Sequence, residues 1–220
     1  MLPKTTIVRK KIPKQRFYDN AELTPTLRRK FIDQIDEIIF ANKFSKDTIN
    51  IPGTPDVEEI FLFDLSLKDN SYINNIESVL TVIDKAIPYP ILYRFKFTNF
   101  VEYKIAYKKR NQNDINKSIV DTYFTRKVPK SELDSFNAEF DRVFNALNMK
   151  VLYENLLKLF LLGKEGTTEE LIEKEKERIC TEKEIERLEK LLKTEKQADK
   201  QYELHKKIKD LNKLITVEAK

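Results

Sequence analysis

The sequence predicts an α+β fold: a mixed β-sheet domain with flanking helices over residues 1–163, then a charged C-terminal helical coiled-coil segment over 164–220. Three observations predict it. Apolar residues in the first part recur at both helical and strand periods. A strand–helix–strand order lies at its centre. After "GTTEEL" (166–171) no proline or glycine interrupts the chain, and its aliphatic residues fall at heptad spacing.

The elements follow in order. Within "LTPTLRRKFIDQIDEIIF" (23–40), Thr24 is an N-cap, Pro25 suits the first helical position, and Leu27, Phe31, Ile35 and Ile38 share a helical face. "NIPGTPD" breaks the chain. "VEEIFLFDLSLK" (57–68) is apolar on both faces up to Phe63, as a central strand requires. "SYINNIESVLTVIDKAI" spaces Ile73, Ile76, Leu80 and Ile83 as a helix, and "PYPILYRFKF" opens the next strand, so the two strands should pair in parallel across a crossover. "VEYKIAYKK" follows a short turn as an antiparallel hairpin partner. After the polar loop "RNQNDINK" comes a fourth strand, "SIVDTYFTRK". A helix from Ser131 should bury Leu133, Phe136, Phe140 and Leu147, and "VLYENLLKLFLL" reads as a buried helix. Thr167 and Glu170 form a capping box for the C-terminal segment. There, Ile185, Leu188 and Leu192 make one stripe, and Leu204, Ile208, Leu211 and Ile215 another. The stripes are out of register on a straight helix, so either the chain turns back near "EKQADKQ" or one helix offers two seams. These seven residues are the candidate partner-binding or self-association surface.

Composition narrows the function classes. Of 220 residues, 41 are Lys or Arg and 36 are Asp or Glu. Residues 165–220 hold 14 basic and 15 acidic side chains, so the basic surplus belongs to the first part. There it concentrates in residues 1–18, with six basic and no acidic residues, and in 94–130, with ten against three. No apolar run suggests a membrane span or a secretory signal, and the lone Cys180 has no partner for a disulfide, so a cytoplasmic setting is expected. His205 is the single histidine, which excludes a histidine-dependent triad in the globular part. No Cys/His spacing suits zinc, and no glycine-rich phosphate loop is present, so no metal or cofactor is expected.

Two segments carry candidate chemistry. On the strand "FLFDLSLK", Asp64, Ser66 and Lys68 share a face by the period of two. A restriction-type nuclease uses two carboxylates to hold Mg2+ or Mn2+ and a nearby lysine to orient water, with Asp64 and Lys68 as candidate catalytic residues and Asp56 or Glu59 as a second acid. Ser66, however, occupies the place where such a site needs a carboxylate. The plainer reading is a strand end reaching solvent, with Asp64 paired to Lys68. The second segment, "YRFKFTNFVEYKIAYKKR", interleaves Arg94, Lys96, Lys104, Lys108, Lys109 and Arg110 with aromatics. With Arg9, Lys10, Lys11, Lys14 and Arg16 of the N-terminus it offers a basic surface for DNA phosphates. The same alternation describes a half-buried sheet with aromatics inward and lysines outward.

The phrases "LPKTT", "IPKQRFY", "FSKDTINI", "VEEIFLFDLSLK", "IDKAIPYPILYRF", "IAYKKR" and "EKQADKQYELHKKI" occur in an order that resembles the bacterial domain-of-unknown-function family 4391. The resemblance brings no established activity. It implies a bacterial setting near DNA methyltransferases and helicase-type restriction subunits. The expectation is therefore a non-enzymatic accessory subunit of a DNA-processing or anti-phage defence system that binds DNA or a DNA-processing partner. The alternatives are a divergent metal-dependent nuclease and a pure coiled-coil scaffold.

Overall fold

The computed structural model describes residues 2–18, 23–110, 118–161 and 166–218. The chain divides into two compact units, Met1–Phe160 and Leu161–Lys220. Gly163, the expected boundary, and the loop 111–117 fall outside the described residues.

In the first unit the order is β1 (Ile7–Lys11), α1 (Gln15–Tyr18), α2 (Pro25–Gln34), β2 (Ile35–Phe44), α3 (Lys46–Ile49), β3 (Ile60–Leu67), α4 (Glu77–Ala86), β4 (Ile91–Lys96), β5 (Phe100–Arg110), β6 (Ser118–Pro129), α5 (Leu133–Val143) and α6 (Met149–Lys158). The six strands lie in sequence order in one mixed sheet. β3 and β4 are parallel, joined through α4, and every other neighbouring pair is antiparallel. The α+β class, the parallel pair and the β4–β5 hairpin are as the sequence predicts.

Two strands are not. The helix expected through residue 40 stops at Gln34, and Ile35–Phe44 continues as β2. Thr24 caps α2 as expected, its hydroxyl accepting from the Leu27 amide at 3.3 Å. Phe31, Ile35 and Ile38 are all fully buried in the same apolar cluster. The apolar spacing is satisfied by one helical step and then a strand, because β3 supplies an edge with which Ile35–Phe44 can pair. β1, read from sequence only as a basic tail, forms the sheet's first strand with all five residues exposed.

One face of the sheet packs Phe63, Leu65, Tyr93 and Phe95 against Phe17, Phe31 and the Val79, Leu80 and Ile83 side of α4. Burial of such side chains contributes about 1.5–3 kcal/mol each. α5 and α6 add Phe136, Phe140, Leu152 and Leu156 to the buried set. Leu147, expected inside, is 85% exposed: α5 ends at Val143, and Asn148 then caps α6 by accepting from the Val151 amide.

The second unit contains α7 (Thr168–Thr194) and α8 (Ala198–Glu218). The Thr167–Glu170 capping box forms with both reciprocal hydrogen bonds. The helix is broken at Glu195–Gln197, where the Glu195 side chain accepts from the Lys196 and Gln197 amides, and α7 and α8 then lie against each other. Of the two readings of the stripes, the chain turning back is the one observed. Ile185 and Leu188 are buried, while Leu192, Leu204, Ile208, Leu211 and Ile215 are half-buried.

Candidate functional site

The register of the parallel pair decides what Asp64 meets. β3 and β4 align Asp64 with Arg94, and β4 and β5 align Arg94 with Tyr103, so the three form a row across one sheet face. Arg94 grips Asp64 with two hydrogen bonds, Nε to Oδ1 at 2.6 Å and Nη2 to Oδ2 at 2.9 Å. Lys96, two residues along the same strand face, adds Nζ to Oδ2 at 2.8 Å. Burial alone raises the Asp64 pKa, but the two cations outweigh it and hold the carboxyl below the usual carboxylate range. Tyr103 completes the row; its burial pushes the phenol up, against the pull of Arg94.

This row floors a cleft of about 890 Å3. Ile39, Ala41 and Leu62 give it an apolar base, and α5 contributes Asp134, Asn137 and Phe140 to one wall. The opposite wall is the N-terminal segment with Lys4, Ile7 and Arg9. Arg9 lies in a bulge: the β1–β2 register shifts between Ile7 and Lys10, and Arg9 has φ 49°. A left-handed backbone is uncommon outside glycine and costs of order 1 kcal/mol, and bulges of this kind re-aim side chains. Lys4, Arg9, Arg94 and Lys96 thus stand around one concavity with Asp64 and Asp134 as its carboxylates. Asp64 is already neutralised by two of the cations, whereas Lys4 and Arg9 are exposed and carry no ion pair among the described residues.

The family model described as Domain of unknown function (DUF4391) matches residues 1–215. The chain belongs to that family. Neither the curated proteins nor the solved structures contain a match to it.

In this DUF4391 chain the other candidate residues are dispersed. Lys68, the other half of the proposed catalytic pair, is not the partner of Asp64; its amide donates to Gln34 and its charge lies close enough to Lys14 to lower that lysine's pKa, after burial. Asp56 pairs with Lys150 at 3.5 Å, and Glu59 pairs with Lys43. Among the described residues no three His, Cys, Asp or Glu side chains group as metal ligands.

Of the basic candidates, Arg9, Arg94 and Lys96 converge. Lys10 is exposed on the edge strand, Lys11 pairs with Glu37 at 2.8 Å, and the Lys14 ammonium donates to the Ile35 carbonyl. Arg16 is exposed on α1, and Lys109 sits 5.2 Å from the Tyr107 ring centre. The side chain of Arg110 lies outside the described residues. Lys104 and Lys108, expected on the outward face of the hairpin, are inside. Lys104 bonds Thr125 and pairs with Glu102 at 3.2 Å. Lys108 is buried against Asp84 of α4 at 2.9 Å and also donates to the Ile87 and Tyr89 carbonyls. Lys108 keeps the parity of Lys104 and Ala106 and so faces α4; the β5–β6 register shifts between Ala106 and Lys108, and Tyr153 bridges that step by accepting from the Lys108 amide and donating to the Ala106 carbonyl. Lys4, Asp134 and Asn137 were missed from sequence. The alternation Ile7, Arg9, Lys11 was the available signal for β1, obscured by the number of lysines around it.

Proposed function

We propose that this chain is a non-enzymatic accessory subunit that binds DNA through the cleft and docks to a partner protein through its C-terminal helices. The observation that carries the reading is the convergence of Lys4, Arg9, Arg94 and Lys96 on one concave face, where two of the four cations have no carboxylate of their own. Cations so placed attract phosphates, and binding by them releases counterions from the nucleic acid. Docking is supported by the exposed Leu191, Tyr202 and Leu214 on the two C-terminal helices, apolar side chains on otherwise charged surfaces. A coiled-coil seam with a partner is the finer form of that proposal. A bacterial restriction or anti-phage setting follows from what the family resemblance implies. The nuclease alternative is less well supported, because both oxygens of Asp64 are held by Arg94 and Lys96.

The test is DNA binding by the full chain across a salt series, using single-stranded and duplex probes. Affinity should fall steeply with salt, and Lys4→Ala with Arg9→Ala should flatten the slope by roughly 0.7–0.9 for each phosphate contact removed. Absence of binding at low salt, or binding that the double variant leaves unchanged, overturns the reading.

A further inference from the structure

The cleft's shape narrows the ligand further, and this inference rests on the DNA-binding reading above. A volume near 890 Å3 lies within the roughly 300–1,000 Å3 range of pockets that hold one small molecule. A duplex cannot enter such a space, but a single unstacked nucleotide can. The interior is divided to suit one. The exposed Ile7 and half-buried Ile39 present aliphatic surface, the exposed Asp134 and Asn137 offer an acceptor and an amide on the α5 wall, and the cations stand together around the same space. Carboxylate and amide groups can bond the edge of a base, while apolar side chains hold its face. The aromatic rings nearby do not serve as a stacking platform, since Tyr103, Phe136 and Phe140 are buried.

We propose that the cleft takes one nucleotide of a single strand or strand end, its base against the aliphatic surface and its phosphate against Lys4, Arg9 and Lys96. The preferred DNA is then single-stranded, with duplex held only by the outer cations.

Fluorescence anisotropy of the full chain with a short single strand and the matching blunt duplex tests this. The single strand should bind more tightly. Ile7→Trp, at an exposed edge-strand position that lines the cleft, fills the space and should weaken single-strand binding at least about 5-fold, and duplex binding by a smaller factor. Competition on the unaltered chain gives a readout independent of any variant: dAMP should displace the strand at concentrations where inorganic phosphate does not. Equal potency of dAMP and phosphate overturns the inference. So does duplex binding as tight as single-strand binding, or an Ile7→Trp variant that is folded and binds as before. If any of these occurs while Arg9→Ala still weakens both probes, the DNA-binding reading survives and the nucleotide pocket does not. If no probe binds, both fall.

Discussion

Asp64 separates the two chemistries considered for this chain. Its ion pair with Arg94 is largely shielded, with Arg94 21% and Asp64 18% exposed, whereas Lys96 is 60% exposed. Asp64→Asn should cost about 1–3 kcal/mol of stability, read as a drop in denaturation midpoint, because charge-assisted hydrogen bonds are lost from a half-buried guanidinium. The same change adds a positive charge to the cleft and should strengthen low-salt DNA binding by of order 1 kcal/mol. Weaker binding would contradict the electrostatic account. Because the folded carboxyl titrates below its unfolded value, the pair's stabilisation is complete above about pH 4 and fades as pH falls through the folded pKa. The stability gap between wild type and Asp64→Asn should therefore close below pH 4; a gap that persists in acid would refute the assignment. With Mg2+ or Mn2+ added, DNA should remain uncut, and cleavage abolished by Asp64→Ala would reinstate the nuclease. Lys108 plays a different part. It is the cation for Asp84, which is fully buried on α4 and also accepts from the Tyr123 hydroxyl. Burial lowers the Lys108 pKa and Asp84 opposes that shift. Lys108→Ala should destabilise the domain by about 3–5 kcal/mol in chemical denaturation, since it leaves a buried carboxylate uncompensated. A loss below 1 kcal/mol would mean the pair is not buried in solution.

At the scale of elements, β1 and β2 explain why the site was only partly legible. β3 and its Asp64 could be placed from sequence, because an apolar run ending in alternating polar residues has few other readings. The partner of Asp64 could not, since it depends on the parallel register with β4 rather than on spacing within β3. β2 was hidden because its apolar residues also satisfy a helical period, and only pairing with β3 resolves that ambiguity. Arg9 shares the parity of Ile7, but the bulge that holds it is announced by no local pattern. Glycine adopts a positive φ without strain, so Arg9→Gly should fold at least as stably as the parent while losing the proposed phosphate contact. A circular-dichroism melt within about 1 kcal/mol of wild type, together with weakened DNA binding, is the expected result. A clear loss of stability would indicate that the Arg9 side chain supports the edge strand.

For the whole molecule, the two units are expected to separate the two proposed roles. The half-buried stripe on α8 makes Leu204→Asp with Leu211→Asp the informative change. Placing charges there should open the helical pair and abolish self-association or partner capture, seen by light scattering or co-purification, while salt-dependent DNA binding by the first unit persists. Association that survives both substitutions would rule out the C-terminal helices as the docking element. No helix among the described residues is long and apolar enough to cross a membrane. By itself the sequence determined the α+β class, the parallel β3–β4 pair, the helix caps and the location of the basic surplus, because these follow from local periodicity, capping chemistry and composition. Tertiary structure alone decided which charges meet. Strand register set Asp64 against Arg94, the irregular β1–β2 pairing holds Arg9 beside the cleft, and the packing of α4 on the sheet put Asp84 opposite Lys108, since contacts between elements depend on alignments that no single stretch of sequence encodes.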